Sequence, residues 1–247
     1  MPAMPRKLVG ELMDEPGLDP AAHRHALRGL ARLNAASAAG RSIWHSIRPW
    51  ARRRGLDRPL RVLDVATGSG DVALRVHRLA AREGVRMELH LCDISPEARQ
   101  AARDRAARAG VEVQTIGADA CRDPLPGGFD VVMCSLFLHH LTEDEAERVL
   151  GAMRSACARD PGATIPTGLV VVADLARTRR GLALAAVGSR TLTRSPIVHE
   201  DAVRSVRAGW TREELRTRFD RAGMSRARVR KVWPERWLVT WEAPCEA

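Results

Sequence analysis

Two rhythms of apolar positions divide the chain. From residue 60 onward, short aliphatic and β-branched runs at 60–65, 88–92, 111–116, 129–136 and 169–173 read as strands. Between them lie stretches with helical spacing, such as 71–82, where Val72, Leu74, Val76 and Leu79 share one side. Boundary signals agree. Ser95-Pro96 opens one helix and Gly110 closes it, while Thr142 with Glu145 and Thr211 with Glu214 each form a capping box. Two further strands, 227–232 and 237–241, are separated only by a short turn at Pro234-Glu235, so they must be antiparallel. Ahead of residue 57 the rhythm is helical throughout. A helix is expected over 20–40, with Leu27, Leu30 and Leu33 on one side and Gly40 closing it, and a second over 42–55 with Ile43, Trp44, Ile47 and Trp50.

Strands alternating with helices predict an α/β fold with a parallel sheet covered on both faces. The expected organisation is an N-terminal helical cap (1–56) followed by one domain (57–247). The segment 177–210 breaks the alternation, carries few periodic signals, and is expected to be a lid-like insertion.

Composition narrows the class. At 45% hydrophobic residues the chain has material for a core, and no run approaches the roughly 18 apolar residues that span a bilayer. No secretory leader is recognisable at the N-terminus, so a cytoplasmic protein without membrane partners is expected. The five cysteines form no C-x-x-C pair, and buried thiols without a metal are expected. The net charge of +10 raises a nucleic-acid reading, but 38 of the 40 bases are arginines spread over helix faces, which reads as a solvated surface.

The candidate chemistry begins in the turn after the first strand, Asp64-Val65-Ala66-Thr67-Gly68-Ser69-Gly70-Asp71. Two glycines there let the backbone approach a ligand at the carboxyl end of a strand. Ala73 takes the third-glycine position of a dinucleotide loop, so the turn alone leaves NAD open. Asp93, ending the second strand, can accept from both ribose hydroxyls of a nucleoside. Asp119 follows the third strand, and Cys134-Ser135-Leu136 ends the fourth.

In that order the strings D-V-A-T-G-S-G-D at 64–71, Asp93, G-A-D-A at 117–120 and F-D-V-V-M-C-S-L-F-L-H-H-L at 129–141 resemble the class I S-adenosylmethionine (SAM)-dependent methyltransferases. The first string is similar to the ubiquinone/menaquinone C-methyltransferase branch. The resemblance covers about residues 60–175, and it implies a seven-stranded sheet with its last strand antiparallel and SAM as cofactor. It extends more loosely to bacterial small-molecule methyltransferases of polyketide and phenolic pathways, part of secondary metabolism, through Glu11-Leu12-Met13-Asp14, the 136–141 string, Asp174-Leu175 with Arg177, 192–195 and 205–207. The loop at 160–167 is longer than that pattern.

Carried over by position, the resemblance implies that Ala66, Thr67, Gly68 and Gly70 run under the methionine part of SAM, with Asp64 beneath them. Asp93 would hold the ribose, Ile94 would lie against the adenine, and Asp119 and Ala120 would border that ring. Ser135 and Leu136 would line the sulfonium side. For a phenolic acceptor a proton must leave, which makes His140, His139 and, in the insertion, His199 the candidate bases. Asp174 and Arg177 after the fifth strand, with Trp210, are candidate acceptor contacts. The expected reaction is O-methylation of a phenolic or polyketide-derived small molecule, with C-methylation of an aromatic or quinone precursor as alternative and an RNA acceptor further behind. A homodimer is compatible with the apolar cap.

Overall fold

In the computed structural model, residues 4–12, 19, 25–26, 38–55, 57–157 and 166–244 are described. The strands β1 (Leu60–Val65), β2 (Met87–Cys92), β3 (Val113–Ile116), β4 (Val131–Ser135), β5 (Leu169–Leu175), β6 (Arg228–Val232) and β7 (Arg236–Glu242) form one sheet in the order β3-β2-β1-β4-β5-β7-β6. The first five strands are mutually parallel. β7 runs antiparallel to both β5 and β6, as the short connection required.

Consecutive residues of the central strands point into two different cores, because side chains alternate across a pleated strand. Leu63 and Val65 of β1, Val132 and Cys134 of β4, and Val170 and Val172 of β5 pack with α4 (Glu143–Ala156) and α7 (Arg212–Arg221). Leu60, Val62, Val131, Met133, Leu169 and Val171 pack on the other face with α1 (Ala39–Arg54), α2 (Asp71–Arg82) and α3 (Pro96–Arg108). Burial on both faces explains why these strands read as continuous apolar runs. Both capping boxes form, at Thr142 and Thr211, and Ser95 caps α3.

One expectation needs correction. Gly40 lies inside α1 instead of ending a helix, and Ala38 takes the left-handed turn (φ 53°). A Cβ at Gly40 would sit 2.8 Å from Arg75 Cγ, so glycine is needed for the close approach of α1 to α2. The segment 177–210 is ordered into α5 (Arg179–Leu192) and α6 (Pro196–Ala208), a packed helix pair. Their amphipathic stripes are short, and Leu184 and Val187 face outward, which hid the periodicity. The helix expected over 20–40 and the loop at 160–167 fall largely outside the described residues. Ile43, Trp44, Ile47 and Trp50 of α1 share the core of the sheet. Among the described residues no helix is long and apolar enough to cross a membrane.

Candidate active site

The Gly-rich turn sits at the carboxyl ends of β1 and β2. Ala66 (φ 54°), Gly68 (φ 54°) and Gly70 (φ 72°) are all left-handed, a costly conformation for the alanine. The two glycines serve different ends. A Cβ at Gly70 would meet Ala102 and Leu91 at 3.3 Å, whereas nothing lies within 4 Å of one at Gly68, where the backbone borders open space. Asp93 ties the turn down: the Gly68 amide donates to its Oδ2 (2.8 Å) and the Ser95 amide to its Oδ1 (3.0 Å). Asp64, buried beneath the turn, accepts a 2.6 Å hydrogen bond from Thr67 Oγ1. Burial pushes the Asp64 carboxyl up to about 7 despite that hydrogen bond.

Beyond β4, Leu136 is also left-handed (φ 56°) and turns the chain into a 3-10 turn, Leu138–His140. There His139 is buried, with Nδ1 2.6 Å from Asp174 Oδ1, and its backbone amide donates to Asp174 Oδ2 (3.1 Å). Burial alone would raise the Asp174 carboxyl, but His139 beside it and the hydrogen bonds from His139 and the Leu175 amide hold it below its ordinary value. The rings of His139 and His140 lie 4.1 Å apart. Burial, reinforced by His139, lowers the His140 pKa. Glu11 completes the cluster, its Oε1 lying 3.9 Å from Nε2 of each histidine. These groups open onto a cleft of about 200 Å³ lined by residues 8–11, His139, His140, Ser205 and Ala208.

The N-terminal segment is strapped across this cleft. Arg6 donates to the carbonyls of Ala208 (2.7 Å), Leu141 (2.8 Å) and His139 (3.3 Å), and its guanidinium lies 3.6 Å from the centre of the Trp210 ring. The Lys7 amide donates to the Arg207 carbonyl, and the Leu12 amide to Asp201 Oδ1. Ser205 Oγ is hydrogen-bonded to Glu11 Oε1.

Residues 62–160 match the family described as Methyltransferase domain. Over these residues the chain is similar to methyltransferase domains. Among curated relatives, a ribosomal protein L11 methyltransferase of Geobacter sulfurreducens is 40% identical over 86 residues, 35% of this chain and 26% of the relative. A demethylmenaquinone methyltransferase of Thermus thermophilus is 32% identical over 136 residues, covering 53% of this chain and 56% of the relative. The chain thus spans between a quarter and just over half of these relatives. Among solved structures, a Nostoc punctiforme protein provisionally named an O-methyltransferase superposes with TM-score 0.61 at 19% identity, covering 95% of this chain and 64% of the other.

The fold brings most of the expected residues to one end of the sheet and leaves a few elsewhere. The residues at the turn fit an adenosyl cofactor. Gly68 leaves room above it, and Ser135 Oγ is buried without a hydrogen-bond partner, a capacity that no protein atom uses. Ile94 is 65% exposed beside Asp93, and Ala120 is buried behind Asp119. Asp119 spends Oδ1 on the Cys121 amide (2.9 Å). Arg177, by contrast, is buried and donates to the Gly209 and Met4 carbonyls and to Glu214. An acceptor could engage it only by breaking that set. Trp210 is fully buried under the histidine turn, its Nε1 donating to the Leu138 carbonyl (3.0 Å). His199 Nε2 lies 2.9 Å from the Thr193 carbonyl, outside the cleft lining. Glu11 was legible only as part of a string resembling a family, with no role attached. It lies far from His139 in sequence, and no local spacing could join them.

Proposed function

We propose that this chain transfers the methyl group of SAM to a hydroxyl of a phenolic or polyketide-derived small molecule. In this reading Asp93 binds the ribose hydroxyls, with Ile94, Asp119 and Ala120 around the adenine. Residues 66–70 pass under the methionine portion, and Ser135 and Leu136 border the sulfonium. The cofactor supplies the activated methyl group, so the protein's part is to orient the acceptor oxygen in line with the C–S bond and to let its proton leave.

The observation that carries the choice of a hydroxyl acceptor is the imidazole pair on the turn after β4, with His139 fixed by buried Asp174 and opening onto the cleft. The strap 4–12 and the helices α5 and α6 form a lid over the acceptor. The likeness to a demethylmenaquinone methyltransferase favours a second reading, methylation of a ring carbon in a quinone precursor. Incubation with methyl-labelled SAM and a panel of phenols and quinone precursors, followed by mass spectrometry, separates the two. An aryl methyl ether is expected; a ring-methylated product would replace the first reading with the second, and no labelled product from either group would defeat both.

A further inference from the structure

We propose that Glu11, His139 and His140 form a binding site for one divalent transition-metal cation of the zinc class, at the inner end of the acceptor cleft. The inference deepens the hydroxyl-methylation reading and rests on it for its chemical role, though not for its test.

Four observations converge. First, one donor atom from each of His139, His140 and Glu11 lies within 4.8 Å of the other two. Both imidazole nitrogens stand 3.9 Å from the same carboxylate oxygen, too far for a hydrogen bond. A cation held at roughly 2.0–2.2 Å from each ligand spans a gap of that width. Second, His139 is set up from behind. Its Nδ1–H donates to Asp174, which leaves the Nε2 lone pair directed away from that carboxylate, and carboxylate–histidine pairs of this kind orient metal ligands. Third, Glu11 is held by Ser205 and by a strap pinned on both sides of it, so its carboxylate is delivered to the histidines by tertiary structure. Fourth, three protein ligands meet here among the described residues, and the cleft supplies space for a further one, the arrangement of a catalytic cation rather than a structural one.

The expectation of no metal drew on cysteine spacing, which does not bear on ligands from a distant glutamate and two adjacent histidines. At such a site an acceptor hydroxyl entering the open position is polarised, and its O–H bond breaks with the proton passing to water at the cleft mouth. The oxygen then forms a bond to the methyl carbon as the C–S bond breaks, its electron pair staying on sulfur. The products are the methyl ether and S-adenosylhomocysteine.

The test needs neither cofactor nor acceptor. The purified full chain, stripped with chelator, is titrated with zinc by calorimetry and with cobalt by visible absorption. One equivalent is expected, binding at micromolar concentration or tighter, with a cobalt spectrum of low coordination number. Glu11→Gln and His140→Ala should each weaken zinc at least about 10-fold, and Asp174→Asn by about 10- to 100-fold. Circular dichroism and SAM calorimetry on the same samples confirm that the fold and cofactor site persist. No uptake at micromolar metal, or uptake equal in wild type and both ligand variants, overturns the proposal. Metal binding without methyl transfer would remove the functional reading and leave the site standing; methyl transfer without metal binding would do the reverse.

Discussion

Asp93 holds two turns at once, with one oxygen on the Gly68 amide and the other on the Ser95 amide. Replacing it by alanine removes the proposed ribose acceptor together with the tie that shapes the loop. Two charge-assisted hydrogen bonds at about 1.5–3 kcal/mol each set an expected loss of at least about 100-fold in SAM affinity, read by calorimetry. Unchanged affinity would remove the ribose assignment. Asp64 gives a pH signature. Its folded pKa of about 7 lies above its ordinary 3.8, so its contribution to stability is fully present below about pH 4 and is lost as pH rises through 7. The span corresponds to up to about 4 kcal/mol. The melting temperature of the SAM-free protein should therefore fall between pH 5 and pH 8, and the fall should be much smaller in Asp64→Asn. Asp64 and Asp93 were legible because each belongs to a strand-end string with a fixed place in the fold. Glu11 was not, since its meaning comes from a contact with residues brought close only by folding. Arg177 and Trp210 follow the same logic in reverse: the position of Arg177 after β5 and of Trp210 in the insertion made them candidate acceptor contacts, but their side chains satisfy the protein's own carbonyls.

The elements that frame the site were readable to within a few residues wherever a capping box or a β-branched run marked them. The helix pair α5–α6 was not, because its helices pack on one another and on a short strap, and so carry narrow apolar stripes. The strap itself has no periodicity. It is held by side chains reaching carbonyls, and Arg6 is its main fastener, with three carbonyls and the Trp210 ring. Arg6→Ala should raise the acceptor KM several-fold while leaving SAM affinity unchanged, as steady-state kinetics and calorimetry would show. Equal losses of both would mean that the strap supports the whole site. Arg236 begins β7 in a buried position, with Nε and Nη1 unpartnered, and desolvation lowers its pKa to about 10. A buried guanidinium left short of acceptors costs more than a well-packed thioether of similar length. Arg236→Met should thus raise the melting temperature by about 2–6 °C, from a gain of roughly 1–2 kcal/mol; a lower value would mean that the cation has an unrecognised partner.

The chain carries an excess of ten positive charges. Many arginines are engaged in pairs: Arg58 with Asp130, Arg218 with Glu143 and Glu147, and Arg48 and Arg52 with Glu83. Arginines paired in this way are expected to associate only weakly with RNA. Fluorescence anisotropy with a generic RNA hairpin should show binding weaker than micromolar at physiological salt, without the steep salt slope of a protein that neutralises many phosphates. Tight, steeply salt-dependent binding would instead revive a nucleic-acid acceptor. The strap has one more consequence, which concerns how this protein can be handled. Residues 4–12 look dispensable by the usual criteria, being short, irregular and ahead of the first helix, and trimming them is a routine step towards crystals. Here such trimming would take away Glu11, the wall that carries Leu8 and Val9, and the fastener over Trp210. A shortened version would remain folded around its sheet and still hold SAM, and would be mistaken for an inactive enzyme.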